Sequence, residues 1–418
     1  MGDLVINIKK PIGDFFTYSL ALSLSRVVGF ILLPILTIYL SVSEFGLLNY
    51  FILFNSLIVI LIGLGLDTIL IQNFSYLKKD ITAYLRICLI LMAITSATYF
   101  IVISSLSNVI PNVTSIEQYI SITQYIIISI IVAFLFALNQ IILTFHQYEK
   151  NPREILKIQI IISSIILLAT LLFLITFEMN WLSRIYGIVI AYSIGLLYMS
   201  HRTGYKFLSV SSFHFEKYTG LLSQSLPIII SSLFVFLIMN IDKYFIEKIF
   251  GLYDFGLYAF GTSLNQLIFF IAVAMNKVAG PYLLDQIKLN NLRFIYIIIS
   301  SISVLLVIVS LIYYYLIIFS YDYLFDQSYK SFFEFYSLQM IILVLLQVSS
   351  FFTFLITTQK RTYLLAFINT LFVFALVLTF SFLEYETISE FLEVYLITIC
   401  IYIIVLNVLF YIPFRKSH

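Results

Sequence analysis

Cysteine is nearly missing from this 418-residue chain, which holds only Cys88 and Cys400. Both stand inside apolar runs, so neither a disulfide framework nor a thiolate metal cluster is expected, and both read as interior residues. Charge is scarce too, at 11% of residues against about 25% in ordinary globular chains. The net charge is only +2, and no basic cluster with interleaved aromatics stands outside the apolar runs. No nucleic-acid partner is therefore expected. Four histidines lack ligand-like spacing and there is no Gly-rich phosphate loop, so the chain announces no metal site, no cofactor and no enzyme.

What the chain has is hydrocarbon. Apolar residues make up 62% of it, more than a water-soluble protein of this length can hide. Runs such as Ile87–Ile103, Tyr125–Leu138 and Ile295–Phe319 suit bilayer helices, which need roughly 20 residues, and not barrel strands, which alternate over about ten. The prediction is an all-α polytopic membrane protein. Twelve spans are expected near 15–40, 45–72, 83–107, 119–145, 155–177, 180–200, 221–247, 254–284, 293–319, 331–358, 362–383 and 392–414, with Glu178–Asn180 breaking the fifth from the sixth. The polar segment Met1–Asp14 carries Lys9 and Lys10, and Phe15–Leu40 is too long for a signal-peptide core, so it reads as an uncleaved first span.

Basic residues orient these spans. With the N-terminus in the cytoplasm, 17 Lys and Arg fall on the inner side, while Arg184, Lys248 and Lys330 fall on the outer side. Both termini are then cytoplasmic. The longest loop, about 201–220, is also cytoplasmic and mixes Arg202, Lys206, His214 and Lys217 with Phe213 and Phe215. It reads equally as an interfacial segment or a solvated linker.

The chain also repeats itself. A shift of 210 residues lays Glu44-Phe45-Gly46-Leu47 on Asp254-Phe255-Gly256-Leu257, Asn55 on Asn265, and Lys150 on Lys360. We divide it into an N-terminal six-helix half, 1–205, and a C-terminal six-helix half, 206–418. Six is even, so the two pseudo-symmetric bundles share one membrane orientation, and such halves enclose a central cleft.

Charges at membrane depth cost about 2.5–3.5 kcal/mol each on insertion scales, so each needs a partner, a cavity or a task. Arg26 lies about eleven residues into the first span, roughly 16 Å deep. It is a candidate for holding an anionic group in the cleft, or else a partner for a neighbouring helix. Asp67 and Lys277 match under the repeat shift and form a candidate pair across the cleft, or each snorkels to the inner headgroups. Asp242 and Lys243 sit near the outer end of the seventh span and need not pair with each other, since neighbours on a helix diverge by about 100°. Arg86, Lys157 and Arg293 gather at cytoplasmic span ends, as the orientation rule demands or as a basic mouth for phosphate groups. Asn55 and Asn265 read as helix glue or as contacts to sugar hydroxyls. Tyr313-Tyr314-Tyr315 and Tyr321/Tyr323 suit the outer headgroup belt.

The Pro-containing first span ending Ile-Tyr-Leu-Ser-Val-Ser-Glu-Phe-Gly (38–46), and Asn-Ile-Asp-Lys-Tyr-Phe-Ile (240–246) before Phe-Gly-Leu-Tyr (255–258), carry a resemblance. Together with the twelve-span layout, they resemble the Wzx-type polysaccharide repeat-unit flippases, which handle O-antigen and capsule units within the superfamily of the MATE exporters. The resemblance implies a MATE-like fold in the bacterial inner membrane. It also implies transfer of an undecaprenyl-pyrophosphate-linked oligosaccharide from the inner to the outer leaflet by alternating access. Arg26, Lys277 and Arg86, with Asn55 and Asn265, would serve the substrate; Asp67, Asp242 and Lys243 would serve gating or ion coupling. Membrane lipids, a coupling H+ or Na+ and polysaccharide assembly proteins are the implied partners. The alternatives are an ion-coupled multidrug or metabolite exporter of the same fold, or a polysaccharide polymerase, for which the expected outer loops are short.

Overall fold

The computed structural model describes residues 9–78, 81–106, 122–149, 151–203, 224–289, 291–359 and 361–415. The side chains of some helical residues, Arg26 and Lys277 among them, fall outside the description, as do Lys150, Lys360 and the 204–223 connection. Among the described residues there are fourteen α-helices and no strand: α1 Lys9–Tyr39, α2 Val42–Gly63, α3 Leu66–Gln72, α4 Phe74–Leu77, α5 Ile81–Leu106, α6 Ile122–Tyr148, α7 Pro152–Ile175, α8 Leu182–Thr203, α9 Ser225–Phe250, α10 Leu252–Lys288, α11 Leu292–Leu324, α12 Phe333–Thr358, α13 Thr362–Phe382 and α14 Ile388–Arg415. Eleven helical segments are long and apolar enough to cross a membrane, and α1 adds the shorter apolar stretch Val27–Tyr39. Each of the twelve expected spans thus has its helix, because the bilayer leaves no other way to satisfy so much apolar backbone. Phe319 is 83% exposed and Tyr363 92% exposed, as befits side chains whose solvent is lipid.

The second span differs from its expectation as a single helix over 45–72. Leu64 and Gly65 both take positive φ, 53° and 64°, ending α2 and starting α3. Gly tolerates that conformation and Leu does so only with strain, so tertiary packing holds the break. Ile228 fills the space a β-carbon of Gly65 would need. The expected break between spans five and six is present, with Glu178 and Asn180 at φ 49° and 47°.

Packing divides the chain into two compact units, residues 1–32 with 47–233 and residues 33–46 with 234–418. In the first unit, glycines let α7 and α8 lie close: a β-carbon on Gly187 would stand 2.6 Å from Thr170 Oγ1, and one on Gly195 would stand 2.8 Å from Ile162 Cγ1. The Asn139 side chain of α6 donates to Leu135 O at 2.8 Å and to Tyr192 O of α8 at 3.3 Å. Tyr84 of α5 donates to Leu66 O at 2.6 Å. Cys88 is buried and Cys400 partly so, and both are free thiols.

In the second unit the repeated motif folds onto itself. Ser41 caps α2: its backbone N–H and hydroxyl both donate to Glu44 Oε2 at 2.9 Å, and Glu44 N–H donates back to Ser41 Oγ at 3.3 Å. A β-carbon on Gly46 would come 2.5 Å from Leu252 O, and one on Gly256 would collide with Val42 O. Val42 and Leu252, like Gly46 and Gly256, are partners under the 210-residue shift, so the first turns of α2 and α10 meet by a reciprocal contact. Only glycine permits it. Around it lies an aromatic core, with Phe260 4.9 Å from Phe332 and 5.1 Å from Tyr329 between ring centroids. Tyr329 donates to Leu40 O at 2.9 Å.

The tyrosine-rich stretch departs from the expected headgroup belt. Tyr315 and Tyr323 are exposed, but Tyr313 donates to Leu264 O at 2.9 Å, Tyr314 stacks on Tyr336 at 5.8 Å, and Tyr321 is buried. Three consecutive helical residues sweep most of a turn, so they cannot all face one side.

Candidate functional site

Polar groups inside the first unit begin with Asn55 on α2, which is buried and donates from Nδ2 to Ser129 O of α6 at 2.8 Å. That is the helix-glue arrangement. Asp67 stands in the first turn of α3, partly buried, with Thr68 Oγ1 3.5 Å from its Oδ1. Arg86 is partly buried on α5, and Lys157 pairs with Glu154 at 2.9 Å on the exposed side of α7. Arg26 belongs to α1.

Arg184, counted in the sequence among the outer-side cations, is the third residue of α8, and its Nη1 is buried with no hydrogen-bond partner among the described residues.

The second unit buries a carboxylate. Asp242 of α9 is 5% exposed and accepts a 2.5 Å hydrogen bond from Tyr258 OH of α10 at its Oδ2, while its Oδ1 has no hydrogen-bond partner among the described residues. Lys243 turns away to Asn240 Oδ1 at 2.8 Å, in keeping with the divergence of helical neighbours. Tyr395 of α14 donates to Ile238 O at 3.4 Å, one turn before Asp242. Gln339 of α12, missed in the sequence, is buried and donates to Tyr258 O at 3.0 Å, leaving its Oε1 open. Asn265 is 1% exposed and its Oδ1 likewise has no partner among the described residues. Lys277 belongs to α10; Arg293, on α11, is exposed. No group of three or more His, Cys, Asp or Glu among the described residues could hold a metal.

Buried hydrogen-bonding groups with spare valences thus stand on otherwise apolar helices, where each calls for a partner, a cavity or a task. The sequence model of a family described as polysaccharide biosynthesis protein matches residues 13–287. The chain belongs to this family. Solved structures agree in fold: an inward-facing multidrug resistance MATE family transporter of the MOP superfamily is 14% identical with a TM-score of 0.65, covering 95% of this chain and 97% of that one. An outward-facing multidrug resistance MATE family transporter of the same superfamily is 15% identical with a TM-score of 0.59, covering 96% and 94%. A MOP superfamily transporter from Pyrococcus furiosus Vc1 (DSM3638), described by a reverse polarity of its binding pocket, is 14% identical with a TM-score of 0.60, covering 97% and 95%. No curated protein matches the chain in sequence. Family and fold together support a multi-pass membrane transporter.

Proposed function

We propose that this transporter carries an undecaprenyl-pyrophosphate-linked oligosaccharide repeat unit from the inner to the outer leaflet of the bacterial plasma membrane, by alternating access of two six-helix repeats, 1–205 and 206–418. The family match over residues 13–287 is the observation that carries this reading. A diphosphate leaves the headgroup layer only with cations to receive it. Arg26 and Lys277 are assigned that role, with Arg86 at the entrance and Arg184 as a further guanidinium, whose planar fork suits phosphate oxygens. Asn265, with its open Oδ1, is the better placed of the two repeat asparagines for a sugar hydroxyl, because the amide of Asn55 is committed to Ser129. The buried Asp242 with Tyr258 is the candidate for a coupling H+ or Na+, and Lys243 and Asp67 complete the gating set.

The test is surface-polysaccharide output in a bacterial host lacking its own flippase. The double variant Arg26→Ala/Lys277→Ala is expected to lose about tenfold or more of that output; unchanged output at normal protein level would overturn the headgroup assignment. The second reading, an ion-coupled multidrug exporter, draws on the multidrug transporters that share the fold, but fold alone does not fix cargo. Drug resistance on overexpression, without restored polysaccharide, would favour it.

A further inference from the structure

A cleft of about 370 Å³ opens in the second unit where the α1–α2 turn meets Tyr253 at the start of α10 and the α11–α12 connection. It lies beside the Gly46/Gly256 crossing, and its walls are held from behind. Tyr329 fixes Leu40 O, the Ser41–Glu44 cap fixes the turn, and Asp326 caps the following turn by accepting from Ser328 N–H at 2.8 Å. The cleft is therefore preformed, and its size falls at the lower end of small-ligand sites, about 300–1,000 Å³.

Its chemistry is selective. The lining holds no Lys, Arg or His, and nearby Lys330 is occupied by Asp322 at 3.1 Å. A phosphate or acidic headgroup would find no countercharge there. A divalent cation needs six or more oxygen ligands for Ca²⁺, whereas the cleft offers one carboxylate, Asp326, already accepting one bond. What remains are the hydroxyl of Ser43, the oxygens of Ser41 and Ser328, whose protons go to Glu44 and Asp326 but which can still accept, the spare acceptor capacity of Asp326, and the rings of Tyr39 and Tyr253, each 50% exposed. Hydrogen bonds from Ser328 also hold the Asp326 carboxyl below the usual carboxylate range, so it stays an acceptor at neutral pH. Hydroxyl-rich edges with aromatic faces match a molecule that has hydroxyls around its rim and C–H groups on its face.

We propose that this cleft binds one or two neutral sugar residues. By the basic-residue asymmetry the cleft faces the outer side, where, resting on the flippase reading above, it holds the glycan of the cargo during release. The experiment is saturation-transfer NMR on the full chain in lipid nanodiscs, with methyl α-glucopyranoside, methyl α-galactopyranoside and N-acetylglucosamine as probes. Transfer is expected to at least one probe, to fall about tenfold in Tyr253→Leu and Asp326→Ala, and to survive in Tyr253→Phe, which keeps the ring and reports on folding. No transfer to any probe, or equal transfer in all variants, overturns the site. Polysaccharide output separates the two readings. Output unchanged in Tyr253→Leu while transfer is lost overturns the release role. Transfer intact in a protein that moves no lipid-linked glycan overturns the cargo reading and leaves the saccharide site standing.

Discussion

Asn55 and Asn265 hold matching positions in the repeat, yet the first spans to Ser129 O at 2.8 Å while the second keeps a buried Oδ1 with no partner among the described residues. The matching position to Ser129 in the later repeat is Gln339, which reaches Tyr258 O instead. The earlier asparagine reaches a neutral carbonyl; in the later copy the helix that carries Asn265 also carries Tyr258, which donates to the buried carboxylate of Asp242. Where the repeats meet by shape, at Gly46 and Gly256, the two copies stayed alike. In their interior polar contacts the copies differ, because a backbone crossing admits one residue type whereas an interior polar position accepts many.

That contrast can be broken first at the crossing. Gly256→Val is expected to abolish folded protein, read as loss of the monodisperse peak in size-exclusion chromatography, because its β-carbon meets the carbonyl of Val42 and backbone cannot swing aside. Even Gly256→Ala should cost about 1–3 kcal/mol or more, whereas Gly29→Ala, whose β-carbon meets nothing within 4 Å, should leave the melting temperature unchanged. Equal behaviour of the two alanine variants would sink the shape argument. Next, Tyr258→Phe strips Asp242 of its hydrogen bond and should destabilise by about 1–3 kcal/mol in thermal unfolding, the usual cost of orphaning a buried acceptor. Asn55→Ala removes one interhelical bond and should cost less, roughly 0.6 kcal/mol and at most about 1.7. A larger loss at Asn55 than at Tyr258 would reverse the ranking of the two interiors. Smallest of all, Lys330→Gln breaks a pair exposed on both sides and is expected to leave the melting temperature where it was.

Much of the architecture was legible from residue runs alone. The twelve spans and the break at Glu178–Asn180 follow from where long apolar runs end, and a matched acid-Phe-Gly-Leu is what suggests a repeat. The break at Leu64-Gly65 was not legible, since Leu rarely adopts positive φ and nothing local demands it. Of the site, Asp242 and the asparagines were visible as polar residues in apolar runs. Arg184 was visible only as an outer-side cation, its buried Nη1 being a matter of packing, and Gln339 was hidden by being one more uncharged amide in a helix. Neither the Tyr258 partner of Asp242 nor the grouping of Tyr253 with Asp326, more than seventy positions apart, has any local sequence signature.

Composition by itself determined that this protein lives in lipid as helices, because transfer free energy sums over residues without regard to their neighbours. It also determined that the Phe-Gly turns come in a pair. Tertiary structure alone decided that those turns close on each other, that Asp242 is held by a phenol and not by the adjacent Lys243, and that a hydroxyl-lined cleft forms beside them. Such outcomes depend on which helix faces which, and direction and distance between remote side chains are properties of the packed chain.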